Sequence, residues 1–264
     1  MKMVYRQGDF DTTKVLPIVE VYTAVQSEGS RAGYPTIIVR TTGCTHRCFF
    51  GEGGWCDSWY TSIHPEKGTY TMQDIIDLYN ENPHIKEMMI TGGSPTMHPE
   101  LLDALTGFAH HNSIYTTMET EGTTVVRTRF PINLISLSPK FSNSVPQLGI
   151  KTPNGSETTQ RMIDKHNKAR CSRTSLVEII TNQLTHGQDF HIKPVWDGED
   201  QGALKEILEL IEGVHPSKVW FMPAGDTRES LFKSYPKVFD WVRDNGYRMT
   251  WRPHIIAFES KREV

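Results

Sequence analysis

Cys44, Cys48 and Cys56 fall within thirteen residues, and the chain has one further cysteine, Cys171. A thiolate is a soft, electron-rich donor, so three in one short segment point to iron–sulfur or zinc ligation. A four-iron cluster held by three cysteines keeps one iron open to a further ligand, whereas electron-carrying clusters usually have four. Structural zinc takes four protein ligands, and His46 or Cys171 would supply the fourth. Spacing alone leaves iron and zinc both open.

Such a segment must hang from rigid elements. Residues 18–22 and 36–40 are rich in β-branched side chains and read as strands. Thr71, with Asp74 three residues on, is a helix start, and Ile75, Ile76, Leu78 and Tyr79 form its apolar side. Residues 87–91 read as a buried strand running into Gly92-Gly93, and Pro99 opens a helix with Leu101, Leu102 and Leu105 on one face. Strands are expected at 113–118, 133–137, 190–195, 219–222 and 247–251. Helices between the last three carry Leu204, Ile207, Leu208 and Ile211, then Val238, Phe239 and Val242.

This alternation predicts an α/β fold with a parallel sheet and helical crossovers. Roughly six units within 264 residues suggest an incomplete (β/α) barrel forming a single domain, with a doubly wound open sheet as the alternative. Either architecture gathers functional groups at the C-terminal ends of strands. Residues 141–175 break the rhythm: they are polar and carry Lys151, Arg161, Lys165, Lys168, Arg170 and Arg173. They read as a solvated insertion, with a docking surface for an anionic partner as the sharper alternative.

The whole chain narrows the classes. A net charge of −3 gives no basic field of the kind nucleic acid attracts. The N-terminus lacks the apolar core of a secretory signal, and no run approaches a membrane span. The expected location is the cytoplasm, where thiols stay reduced and ligate or react.

Three strand ends add polar groups: Thr91-Gly92-Gly93-Ser94-Pro95, then Met118-Glu119-Thr120-Glu121-Gly122-Thr123, then Ser138-Pro139-Lys140. With the cysteines, this set resembles the radical S-adenosylmethionine superfamily. Residues 21–30, Gly33 to Thr36, Val39-Arg40 and Trp55 to Tyr60 resemble one family within it, 7-carboxy-7-deazaguanine synthase. The resemblance spans about residues 18–222 and is weakest over 141–175.

It implies a modified radical S-adenosylmethionine fold, with a [4Fe-4S] cluster on Cys44, Cys48 and Cys56. It implies S-adenosyl-L-methionine bound near Gly92, Gly93, Ser94, Glu119, Ser138 and Lys140. The substrate would be 6-carboxy-5,6,7,8-tetrahydropterin, contacted by Gln26, Glu28, Gly29, Arg40 and Thr91, with Mg²⁺ on the Ser58 hydroxyl. Glu28 could accept hydrogen bonds from the pterin's N–H groups, and Arg40 could pair with its carboxylate. The reaction would be a ring contraction with loss of ammonia, fed by an external electron donor, in a homodimer.

Two departures stand out. The superfamily's usual cysteine spacing is three and then two intervening residues; here it is three and seven, and Gly51, Gly53 and Gly54 are expected to let the extra residues bulge. Ser94 stands where a glutamate commonly follows the Gly-Gly pair, so backbone carbonyls or another group such as Glu119 must replace its charge. Cys171 reads as an unligated thiol. Most histidines read as surface or packing residues, and His254 as one that could reach the pocket. The rival readings are an activase that installs a glycyl radical on another protein, and a zinc or electron-transfer module without catalysis. Gln26 to Gly29 and Ser58 argue against the first; the Gly-Gly turn and the polar strand ends argue against the second.

Overall fold

The structure, a computed structural model, describes residues 2–6, 10–51, 54–259 and 261–263. Its elements run β1 (Ile18–Val25), β2 (Pro35–Thr41), α1 (Trp59–Ser62), α2 (Met72–Glu81), β3 (Glu87–Gly92), α3 (Pro99–His111), β4 (Tyr115–Thr120) and β5 (Leu134–Leu137). They continue α4 (Gln160–Ala169), α5 (Arg173–Thr185), β6 (Asp189–Ile192), β7 (Val195–Trp196), α6 (Gln201–Leu210), β8 (Trp220–Pro223), α7 (Arg228–Asn245), β9 (Arg248–Met249) and α8 (Pro253–Phe258). Strands β1 to β6 form one sheet in sequence order, and β7, β8 and β9 form another. All neighbours are parallel except β1 with β2.

The two sheets meet at a break. Ile192 bridges Val219, and the Met222 N–H donates to the Pro194 carbonyl at 2.8 Å. Pro194 has no N–H to continue a ladder. The single strand expected over 190–195 is therefore divided into β6 and β7, and the curved sheet is an incomplete (β/α) barrel. The antiparallel β1 is the other departure from an all-parallel reading.

Register sorts the side chains by face. Val39 pairs with Ile90, Ile90 with Met118, Met118 with Ile135 and Ile135 with Phe190. This apolar row is buried in one core with Ile75 of α2 and Leu102 and Leu105 of α3. A strand alternates faces at every residue. The opposite row is accordingly polar: Arg40 pairs with Thr91, and Glu119 with Ser136, which in turn pairs with His191.

Caps and aromatics fix the ends. Thr71 and Asp74 form the expected capping box of α2. In α7, Val238 and Val242 are buried but Phe239 is exposed, so the helix's buried stripe is narrower than its apolar pattern. Trp196, Phe221, Trp241 and Tyr247 pack ring against ring and tie the last units together.

The loop from β1 to β2 crosses the polar face. Arg31 pairs with Glu87 and lies over the Tyr115 ring, while Ser30 Oγ bonds His191 Nδ1 at 2.9 Å. The Gly29 N–H donates to Thr250 Oγ1 at 2.6 Å. Gly29 has φ +70°, and a Cβ there would collide with the His191 ring, so glycine alone fits.

Candidate active site

The cysteine segment leaves the end of β2 and is laced to the end of β3. Gly93 N–H donates to Thr41 O at 3.1 Å and Ser94 N–H to Gly43 O at 2.7 Å. A Cβ on Gly92 would strike the Thr41 backbone, and one on Gly93 would strike Gly43. The glycine pair therefore serves first to let two strand-end loops touch, a closer constraint than ligand approach.

The long gap between Cys48 and Cys56 is a paired hairpin, where the sequence suggested a bulge. Phe49 bridges Trp55 antiparallel, Phe50 N–H donates to Gly54 O at 2.8 Å, and Cys56 N–H donates to Cys48 O at 3.0 Å. Gly51 and Gly54 take φ of +61° and +72° at the turn. Gly53 lies outside the described residues. The backbone doubles back and brings Cys56 beside Cys48.

Segment 141–175 braces this hairpin. Phe49 N–H donates to Ser144 O at 2.9 Å, Trp55 Nε1–H to Lys151 O at 2.9 Å, and Arg47 N–H to His166 Nδ1 at 3.1 Å. His166 is fully buried in α4, edge-on to His46, and burial pushes its pKa down to about 3. Cys171 lies elsewhere: its thiol donates to Gly122 O at 2.9 Å, and it does not line the cavity beside the other cysteines.

That cavity has a volume of about 1250 Å³. All three cysteines line it, with Ser58, Thr91, Gly92 and Gly93. Glu28, Arg40, Glu119, Ser138 and Lys140 line it too, as does His254 from α8. Gln26, Gly29 and Ser94 are buried and do not line it. Gln26 instead holds the β1–β2 loop through backbone bonds with Gly33 and Tyr34.

On the thiol side, charges lack partners. Burial pushes the Cys48 thiol up to about 12 and raises Cys44 and, further, Cys56. Lys140 opposes all three shifts, and its ammonium bonds only Ser138 Oγ, at 2.9 Å, among described side chains. A bound metal would deprotonate such thiols on coordination. Their softness and number fit an iron–sulfur cluster. Among the described residues, no three His, Cys, Asp or Glu side chains form a site for a single metal ion.

On the opposite side, charges are matched. Lys193, only 2% exposed, bridges Glu28 at 2.5 Å and Glu119. Arg252 pairs with Glu28 at 3.0 Å and with Asp57 at 2.7 Å. Burial alone would neutralise these groups, but their partners prevail: Lys193 is raised, Glu28 is lowered, and Asp57 is held down at about 2. Glu119 also accepts from Thr91 Oγ1 at 2.9 Å. Arg40 pairs with Glu20 at 2.9 Å and donates to Ser58 Oγ at 3.1 Å, and Ser58 donates to Asp57. Lys193 and Arg252 were not singled out from sequence. Lys193 read as one residue of a strand, and Arg252 follows the last one.

Three thiols thus follow the first parallel strand of an open β/α sheet and face a polar cavity at the strand ends, the placement that the resemblance to radical S-adenosylmethionine enzymes implies. The fold is similar to the crystal structure of QueE from Escherichia coli, with a TM-score of 0.54 at 20% identity over 89% of this chain and 92% of that one. The chain is 31% identical over 258 residues to the 7-carboxy-7-deazaguanine synthase of Halobacterium salinarum, covering 94% of this chain and 93% of that protein. It is 28% identical to the synthase of that name from Rhodopirellula baltica, over 94% of this chain and 88% of the relative. No protein-family model matches it. The chain belongs to the 7-carboxy-7-deazaguanine synthase family.

Proposed function

We propose that the chain catalyses the radical ring contraction of 6-carboxy-5,6,7,8-tetrahydropterin to 7-carboxy-7-deazaguanine, with loss of ammonia. One observation carries this reading: a single cavity joins three free thiols to a buried, charge-matched polar wall built on Glu28. When bound, a [4Fe-4S] cluster on Cys44, Cys48 and Cys56 with S-adenosyl-L-methionine supplies the electron and the adenosyl radical that abstracts hydrogen.

The chain's own residues hold and orient. Lys193 and Arg252 fix the Glu28 carboxylate, whose remaining lone pairs can receive the pterin's N–H donors. Arg40, held by Glu20 and Tyr22, offers a cation for the substrate carboxylate. Lys140 places positive charge beside the thiolates. Ser58 and Asp57 are the oxygen donors nearest the magnesium role, but both already bond Arg40 or Arg252. They form no ready cage for a hard cation, and magnesium would have to displace the Arg40 contact and take oxygens from substrate and water.

Anaerobically reconstituted protein, given reductant, S-adenosyl-L-methionine and the carboxypterin, should release 7-carboxy-7-deazaguanine. Stoichiometric zinc with no iron uptake would sink the reading. Deoxyadenosine release without the deazaguanine acid would retain the chemistry and reject the substrate.

A further inference from the structure

Glu121 is a buried carboxylate that neither the reading above nor the sequence motifs put to use. It is 6% exposed, it lines the cavity near Cys44, and no ion pair involves it among the described residues. Three hydroxyls converge on one of its oxygens: Ser94 at 2.6 Å, Thr123 at 3.0 Å and Thr45 at 3.1 Å all donate to Oε1. Oε2 keeps only Thr120 Oγ1, at 3.4 Å. One oxygen is thus saturated and oriented, and the other retains free lone pairs. Burial favours the neutral acid, but the hydrogen bonds headed by Ser94, with His46 nearby, outweigh it and keep the carboxyl ionised below its usual range.

An unpaired buried charge is costly and calls for a partner. Ser94 is fully buried behind Glu121 and does not line the cavity, so the serine cannot receive a ligand cation itself. Lys140, of opposite sign and also without an ion pair among the described residues, acts electrostatically on the same Cys44 and His46 as Glu121 does. An unpaired carboxylate and an unpaired ammonium flanking one cysteine complement an amino-acid zwitterion.

We propose that Glu121 binds the α-ammonium of S-adenosyl-L-methionine, with Ser94, Thr45 and Thr123 holding the carboxylate in place. Glu119, which the sequence offers beside backbone carbonyls as a substitute, is committed to Lys193 and Thr91. This rests on the functional reading above and assigns the charge that serine at 94 leaves out.

The test is equilibrium dialysis of reconstituted holoenzyme against S-adenosyl-L-methionine and against the sulfonium analogue lacking the α-amino group. Glu121→Gln should keep its iron and bind S-adenosyl-L-methionine about 10- to 100-fold more weakly, the range of a charge-assisted hydrogen bond. Its affinity for the deaminated analogue should match the parent's. The exchange S94E/E121Q should recover part of the loss. Equal binding of S-adenosyl-L-methionine by parent and Glu121→Gln overturns the proposal while leaving the synthase reading intact. If Glu121→Gln does not hold iron, the parent must still prefer S-adenosyl-L-methionine to the analogue by about tenfold or more, and Glu121→Asp must narrow that preference. No preference in the parent overturns the proposal. A parent that loads iron yet binds no S-adenosyl-L-methionine removes the functional reading and this proposal together.

Discussion

The two walls of the cavity handle charge in opposite ways. On the Glu28 wall, Lys193 and Arg252 are matched to Glu28, Glu119 and Asp57 within hydrogen-bond distance. On the thiol wall, Cys44, Cys48, Cys56, Glu121 and Lys140 form no ion pair among the described residues. A matched wall is set before a ligand arrives and can recognise a polar heterocycle by shape and hydrogen bonding. An unmatched wall waits for charge to be delivered, as a metal cluster and a zwitterionic cofactor would deliver it.

The harshest way to break the contrast is to remove a thiol. Ala at Cys44, Cys48 or Cys56 should abolish iron uptake, measured per chain after anaerobic reconstitution, whereas Cys171→Ala should load normally. Iron loss in the Cys171 variant would show that the ligand set is incomplete. Next is Lys193→Met, which leaves the Glu119 carboxylate without a cation and Glu28 with Arg252 alone, and should cost about 3–5 kcal/mol of stability by denaturant melts. The double variant K193M/E119Q should regain part of it. A single variant as stable as the parent would mean that the wall is not electrostatically matched.

A milder probe is acid. His166 behind the cluster hairpin and His191 beneath the Glu28 loop are both held neutral by burial, down to about 3. In the unfolded chain a histidine takes up its proton near about 6.5. Stability should therefore be full above that pH and decline as pH falls toward 3, because the unfolded state binds protons first. Thermal melts from pH 7.5 to 4 should show this decline, and His166→Asn should flatten it; a parent melt independent of pH would refute it. The smallest effect is expected from Trp55→Phe. It removes one hydrogen bond to Lys151, worth about 1 kcal/mol, and should leave iron content unchanged.

The contrast also tracks what the sequence could reveal. Elements were legible where a local rule was strong: the Thr71–Asp74 box, the Pro99 helix start and the alternating rows that place Val39 and Ile90 against helices. The thiol wall was legible as well, because cysteines carry their chemistry in their identity. Lys193 and Arg252 were not, since a buried ion pair joins residues up to 224 positions apart and a lone cation in a sequence looks like surface. Glu121 was masked by its neighbour: two glutamates flank Thr120, and strand alternation would put both on one face, but β4 ends at Thr120, so Glu119 meets Lys193 while Glu121 turns to Ser94. The hairpin was hidden because pairing of Phe49 with Trp55 depends on turn geometry, not on composition.

That hairpin changes how the cysteine motif should be counted. Along the chain Cys48 and Cys56 are eight positions apart, yet across the hairpin they are neighbours joined by one backbone hydrogen bond. Sequence distance there measures the length of an excursion rather than the width of the metal site. The Phe50–Gly54 backbone bond closes the excursion before it reaches the thiols, so its length and the Cys48–Cys56 pairing are separate quantities. A pattern search with fixed cysteine spacing would overlook this protein.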